Sequence, residues 1–385
     1  MKKKVFWILA VIALVGVIVW HRSQISEDEK DAIKIGAVIS LSGKLSHVGA
    51  LSLNALKLAE ENYNANLSEG ALPLKIIIED GGSDSNTAIM AYKKLVNHNN
   101  IEAVITGGTA MSMPIASYMK AQQNEAKPQI GVYATHSELT KINPWTFRLY
   151  YPAGYEAEQL IDKIILKQPN YKKIALFYSM DDYGLTYRHT FDEYMPYNNL
   201  EFTAAEYDTT TKDFRTDVLK MQKFTPDVCV FTGLSPNLAM LIHQAKQDGL
   251  KCKYLTTSTI VAPGIYDFLE EAAEGLTFTL PQFEIETNTD SPKEVEFRKS
   301  YQEKYSIPAT SYYTAFPYAA VEVLMEVLPG LSRNAGVEAV TAAMHEKIKD
   351  FDTAAGKLTV TEDRDMFIPL LIVQIQDGKK VVIER

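Results

Sequence analysis

The sequence predicts an α/β fold of two doubly wound parallel-sheet lobes joined by a multi-crossing hinge and preceded by an N-terminal hydrophobic segment. Three observations predict it. The chain has 385 residues, too many for one ordinary core. Short apolar runs alternate with amphipathic stretches from residue 33 onward, the rhythm of βα units on a parallel sheet. An unbroken apolar run at 5–20 stands apart from that rhythm.

The N-terminus comes first. Lys2, Lys3 and Lys4 precede the apolar run, and Glu27, Asp28 and Glu29 follow it. The positive-inside bias keeps the lysines cytoplasmic and sends everything after Trp20 across the inner membrane. Residues 1–24 therefore read as a signal peptide or a membrane anchor, and 25–32 as a polar tether. Sixteen apolar residues suit a signal h-region, yet no small-residue cleavage site and no lipobox cysteine follows. Trp7 and Trp20 are spaced for the two interfaces, which tips the reading towards a retained anchor.

Beyond the tether, 33–39 reads as a strand, 51–63 as a helix and 74–78 as a strand. Ala88, Ala91, Tyr92 and Leu95 mark one face of the next helix, and 103–105 is again a strand. After Pro152 the rhythm resumes with a helix around 160–165, strand 174–178, helix 184–195 and strand 201–207. Helix 213–223, strand 227–231, helix 237–248 and strand 253–257 follow. The stretch 367–383 predicts a hairpin turning at Asp377-Gly378. The chain is expected to change lobes near 150–153 and to cross back near 280–282. That gives 33–151 plus 282–358 as the first lobe and 152–281 plus 359–385 as the second.

Composition narrows the function. The net charge is −9, and residues 1–24 carry four cations and no acid, which leaves −13 on the body. Such a surface repels phosphate backbones, and the Lys and Arg residues are interspersed with acids, so no nucleic-acid role is expected. Seven scattered histidines and two cysteines form no metal-site spacing, so no metal and no cofactor is implied. Cys229 and Cys252 lie in adjacent strand segments; buried free thiols are the plainer reading and a disulfide the alternative. No signature of a hydrolase, P-loop, zinc protease or dinucleotide-binding enzyme occurs, and no enzyme is expected.

In open α/β sheets, ligands bind beyond the carboxyl ends of the strands. Four loops qualify: 40–43 with Ser42; 106–112 with Gly107, Gly108, Thr109, Ala110 and Ser112; 133–135 with Tyr133 and Thr135; and 181–184 with Tyr183. Paired glycines permit close backbone approach, hydroxyls bond carboxylates, and a tyrosine both packs and bonds. Each loop also has a purely structural reading as a turn. Asp181 and Asp182 read more readily as a turn or helix cap than as acid–base groups.

At these loops the chain resembles the branched-chain amino acid and amide-binding family of ABC-transporter solute-binding proteins, over roughly residues 33–376. Ile33 to Val38 followed by Leu41-Ser42-Gly43, then Glu79-Asp80 with Ser83-Asp84, carry the likeness. So do Ala103-Val104-Ile105 entering the Gly-Gly loop, Tyr183-Gly184, 272–276, and Ser311-Tyr312 with 318–321. The resemblance implies the type I periplasmic binding protein fold, a small-molecule ligand, closure of two lobes around it, and an inner-membrane ABC permease as partner. It implies that Ala110, Ser112 and Thr135 surround a ligand carboxylate and that Tyr183 closes over the ligand. The family's acid for an α-ammonium falls at Ser258 and an aromatic wall at Leu234, and both depart from the pattern. A buried ammonium without a carboxylate is costly, so an amide or organic acid ranks ahead of an α-amino acid, unless Asp181 or Asp182 replaces the charge. The expected function is a periplasmic solute receptor, with a membrane-tethered sensor on the same fold as the alternative; membrane contact would run through 5–20.

Overall fold

The computed structural model describes residues 32–384 apart from 44, 83, 234–236, 263–267, 286–290 and 333–334. The segment at 5–20, nearly all of the tether and Leu234 lie outside the described residues. Among the described residues no helix is long and apolar enough to cross a membrane.

The first run of units comprises β1 (Ile33–Ile39), α1 (Ser46–Ala65), β2 (Leu74–Asp80), α2 (Ser85–Asn99), β3 (Ala103–Gly107), α3 (Thr109–Ala121), β4 (Gln129–Val132) and β5 (Thr146–Leu149). The second comprises α4 (Ala153–Leu160), β6 (Lys173–Ser179), α5 (Asp182–Tyr197), β7 (Glu201–Tyr207), α6 (Arg215–Phe224), β8 (Val228–Thr232), α7 (Asn237–Gln247), β9 (Lys253–Thr256) and β10 (Thr277–Pro281). Three helices return, α8 (Pro292–Tyr305), α9 (Tyr312–Val327) and α10 (Val337–Lys347). A small β11–β12 hairpin (Phe351–Thr353, Gly356–Leu358), β13 (Asp365–Met366), β14 (Leu370–Gln376) and β15 (Lys379–Glu384) complete the chain.

These strands form two sheets. The first runs β13-β5-β4-β3-β1-β2 and is parallel throughout; the second runs β15-β14-β10-β9-β8-β6-β7, with an antiparallel edge at β14 and β15. The core strands β3, β4, β5 and β8 are buried at every position, as strands covered on both faces by helices must be. The local signals act where the sequence puts them. Asp84 caps α2 by accepting from the Asn86 and Thr87 N–H groups, and the buried face of α2 is Ala88, Ala91, Tyr92 and Leu95. Asp377 and Gly378 both take positive φ in the last hairpin, the requirement of a type I′ turn.

The chain passes between the sheets after β5, after β10 and between β13 and β14. Because β13 pairs with β5, residues 365–366 still serve the first sheet, and the second is re-entered at Leu370. The outer crossings are fastened to each other. Buried Arg148 donates from Nε to Asp365 Oδ1 at 2.8 Å and from Nη2 to Oδ2 at 3.1 Å, while Nη1 reaches the His136 carbonyl at 2.7 Å.

Cys229 and Cys252 are joined in a disulfide, with Cα atoms 5.9 Å apart, against the plainer expectation of free thiols. Neighbouring β8 and β9 bring them together, and closing a loop of this length is worth about 3 kcal/mol in the chain-entropy account. Such a bond suits an oxidising compartment.

Candidate functional site

The carboxyl ends of β1, β3 and β4 carry the first-lobe loops. Asp80 organises the 40–43 loop, its Oδ1 accepting from the Leu41, Ser42 and Gly82 N–H groups. Ser42 is exposed on that loop. At the end of β3, Gly108 has φ +77 and starts α3, whose first turn leaves N–H groups without intrahelical acceptors. Thr109 stands on that turn with Ala110 exposed beside it. The Thr109 hydroxyl accepts the Thr135 N–H at 3.0 Å and lies 3.5 Å from the Thr135 hydroxyl.

Tyr133 takes φ +43, an outlying conformation for a bulky residue, which swings its ring over the glycine turn. Its hydroxyl meets Ser52 at 2.8 Å, and a Cβ at position 107 would stand 2.7 Å from that oxygen, so a side chain there would have to push the Tyr133 ring from this position. Ser112 is placed differently from the expectation. Its hydroxyl lies 2.8 Å from Thr106 inside a buried network with Gln129 and Thr146, so it braces the strands and does not line the cleft.

The second-lobe rim is built around a residue that the loop motifs did not indicate. Glu156, in the first turn of α4, is fully buried. Its Oε2 accepts the Tyr183 hydroxyl at 2.6 Å, and its Oε1 accepts the Ser258 N–H at 2.9 Å together with the Thr279 hydroxyl. Tyr183 and Ser258 are thus both in the second-lobe rim, gathered on one carboxylate. Asp181, by contrast, caps α5, accepting the Gly184 N–H at 2.9 Å. The signal for Glu156 was present in spacing: Ala153, Glu156, Ala157 and Leu160 are the buried stripe of α4, and an acid on that stripe is out of place on an apolar face.

Two features connect the rims. The Thr135 carbonyl accepts the Ala153 N–H at 2.9 Å, three residues from Glu156. A chain of rings runs from Tyr133 to Tyr313 (centroids 5.1 Å), Tyr312 (4.2 Å) and Tyr150 (5.5 Å), and the Tyr150 hydroxyl lies 3.1 Å from that of Ser258. Tyr151 stacks on Tyr150 at 4.1 Å, and Tyr187 lies 5.2 Å from Tyr183. Burial, and then the Glu156 charge, pushes the hydroxyls of Tyr150, Tyr183 and Tyr187 well above the ordinary tyrosine range, so they stay protonated. For Tyr151 burial leads, followed by Tyr150 and Glu156. The arrangement offers donors on one rim, a carboxylate on the other and aromatic faces between. No group of His, Cys, Asp and Glu suited to a metal occurs among the described residues.

A family model described as periplasmic binding protein matches residues 32–380. The Leu/Ile/Val-binding protein homolog 7 of Brucella abortus is 24% identical over 376 residues, covering 91% of each chain. Two solved structures share the fold. The branched-chain amino acid transporter substrate binding protein LivJ of Streptococcus pneumoniae, in complex with isoleucine, superposes with a TM-score of 0.77 at 20% identity, over 92% of this chain and 100% of that one. An ABC transporter solute binding protein of R. palustris, in complex with benzoate, gives 0.76 at 17% identity, over 92% and 96%.

Proposed function

The chain belongs to the periplasmic binding protein family, and from that premise we propose that it is an extracytoplasmic receptor that closes two lobes on a small polar ligand for an inner-membrane ABC permease. The observation that carries this reading is the opposition of two unlike rims across one ring of tyrosines. Thr109, at the N-terminal turn of α3, and Thr135, beside it in the loop after β4, offer hydroxyl and N–H donors to an anionic or carbonyl group. Tyr183, Ser258 and Glu156 meet the other end of the ligand.

Closure follows from the same layout. A ligand that bonds both rims is bound more tightly when they approach, and this difference in affinity is what favours the closed state. The three crossings supply the hinge, and the closed surface is what a permease would read. The two structural relatives hold an amino acid and an aromatic carboxylate. A ligand of that size, with at least one anionic or carbonyl oxygen, suits the Thr109–Thr135 rim.

Thermal denaturation of the full chain against amino acids, short amides, urea analogues and organic acids including benzoate tests this. A ligand at 100 times its Kd adds about 2.7 kcal/mol to stability. The Thr109→Val, Thr135→Val double variant is expected to lose that gain, with its ligand-free Tm lowered only by the loss of the Thr109 acceptor for the Thr135 N–H. A panel with no stabilising member, or a gain unaltered in the double variant, overturns the receptor reading or its first-lobe site respectively.

A further inference from the structure

The sheet face beneath α4 is covered only part of the way. Along β9, Lys253 and Leu255 share one face, and Leu255 belongs there to one buried cluster with Ile161 and Ile165. The helix ends beyond Leu160 in a single π turn, Ile161–Ile165, closed by the Leu166 N–H on the Ile161 carbonyl at 2.9 Å. Past that turn the face opens into a cavity of about 350 Å³, whose walls include Lys163, Lys167, Tyr171, Lys253, Ile372 and Glu384. It lies at the end of the second lobe opposite the cleft. Lys253 opens β9 whereas Ser258 follows its carboxyl end, and α4 runs from Glu156 away from the rim towards Lys163.

Three lysines and one carboxylate line this cavity, and Glu384 is already paired with Lys167. Lys163 and Lys253 have no carboxylate within 4 Å and donate no hydrogen bond among the described residues. Lys253 is partly buried, and burial, followed by the charge of Lys246, holds its ammonium below the usual lysine range. A partly desolvated ammonium beside a second cation is an unfavourable arrangement that an anion relieves. The neutral polar wall does not compete for it, since Gln374 donates to the Thr277 hydroxyl at 3.1 Å. Lysines are compact point charges with rotatable donors, which suit a tetrahedral oxyanion better than the planar, two-pronged pairing that a carboxylate makes with arginine. Ile372 and Ile383 leave an apolar side for an organic body attached to it.

We propose that this cavity is a second binding site, remote from the cleft, for a phosphate group held between Lys163 and Lys253, with the Tyr171 hydroxyl as a further donor. The group is carried by a soluble phosphate ester or by a lipid headgroup, and the chemistry that recognises it is the same. The site stands whatever the cleft binds.

The full chain is titrated calorimetrically with inorganic phosphate and with glycerol 3-phosphate, against sodium chloride at matched ionic strength. In parallel it is sedimented with vesicles of equimolar phosphatidylcholine and phosphatidic acid, and the increment over phosphatidylcholine alone is recorded. Saturable phosphate binding is expected, weakened about tenfold by Lys253→Met and by Lys163→Gln separately, the value of roughly one hydrogen bond to a charged group. Ligand-free Lys253→Met is expected to unfold at the same or a higher temperature, because it loses an uncompensated cation. Where that substitution disturbs β9, Lys163→Gln, on the partly exposed turn, still carries the test. Lysine-dependent binding of glycerol 3-phosphate assigns the site to a soluble ester, and a lysine-dependent vesicle increment without it assigns the site to a lipid headgroup. If neither the phosphate probes nor the vesicle increment depends on Lys163 or Lys253, the proposal is overturned.

Discussion

Asp365 and Glu156 are buried carboxylates that flank the same first crossing, and the protein treats them in opposite ways. Asp365 is held by a guanidinium in a two-pronged ion pair, and that Arg148 is itself buried and spent on the His136 carbonyl with its third prong. Burial still pushes the Asp365 carboxyl above the usual carboxylate range, with Arg148 pulling it back. Glu156 is more deeply covered, and among the described residues only neutral groups donate to it. The first arrangement is complete within the chain and fastens the crossing strand to β13. The second is met by neutral donors, the Ser258 N–H and the hydroxyls of Tyr183 and Thr279. The two differ in counter-charge and not in depth of burial.

The comparison is broken most forcefully at Arg148. Arg148→Met fills much of the same space and leaves Asp365 buried without a partner, which is expected to cost about 3–5 kcal/mol in denaturant-induced unfolding. Adding Asp365→Asn to it should restore part of that loss, because the uncompensated charge is what is expensive. A double variant as unstable as Arg148→Met alone would mean that the guanidinium acts through its His136 bond and packing.

Glu322 is an intermediate case that sharpens the contrast. Lys293 stands 3.7 Å away and the Ala354 N–H donates at 2.6 Å, yet burial raises the carboxyl to about 7. A carboxyl with a raised folded pKa favours the fold while protonated, and that contribution disappears as pH rises from the unfolded value near 4.5 to about 7. Glu322→Gln, permanently neutral, should therefore stabilise the protein at pH 8 by up to about 3 kcal/mol and leave it unchanged at pH 4. Equal unfolding free energies at both values would show that Lys293 already compensates the charge.

Much of the fold was legible in the sequence because its signals are local. The strand at 33–39, the face of α2 and the Asp377-Gly378 turn need only periodicity and backbone preference, and each lies where those put it. What escaped depends on which distant elements meet. Arg148 reads as one polar residue in an apolar strand until β13 is laid beside β5. The disulfide needs β8 and β9 to be neighbours. Ser112 looked available because its loop is, whereas its side chain turns into the sheet towards Thr106. Glu156 was hidden in a helix start, and the resemblance directed the search for an acid to 258, where there is a serine.

The smallest expected change is the most discriminating, since it sets Glu156 against Asp365 in the absence of any ligand. Replacing a carboxylate that has its own counter-charge exposes that counter-charge and destabilises. Replacing one that has none removes a desolvated charge and keeps the shape. In Glu156→Gln the amide oxygen can still accept the Ser258 N–H and the Thr279 hydroxyl, while the Tyr183 oxygen can turn to accept from the new amide. The ligand-free variant should accordingly lie between unchanged and about 1 kcal/mol more stable than the parent in denaturant-induced unfolding. A loss of several kcal/mol would mean that the negative charge itself holds α4, β10 and the 258 turn together, and Glu156 would then belong with Asp365 as part of the permanent scaffold.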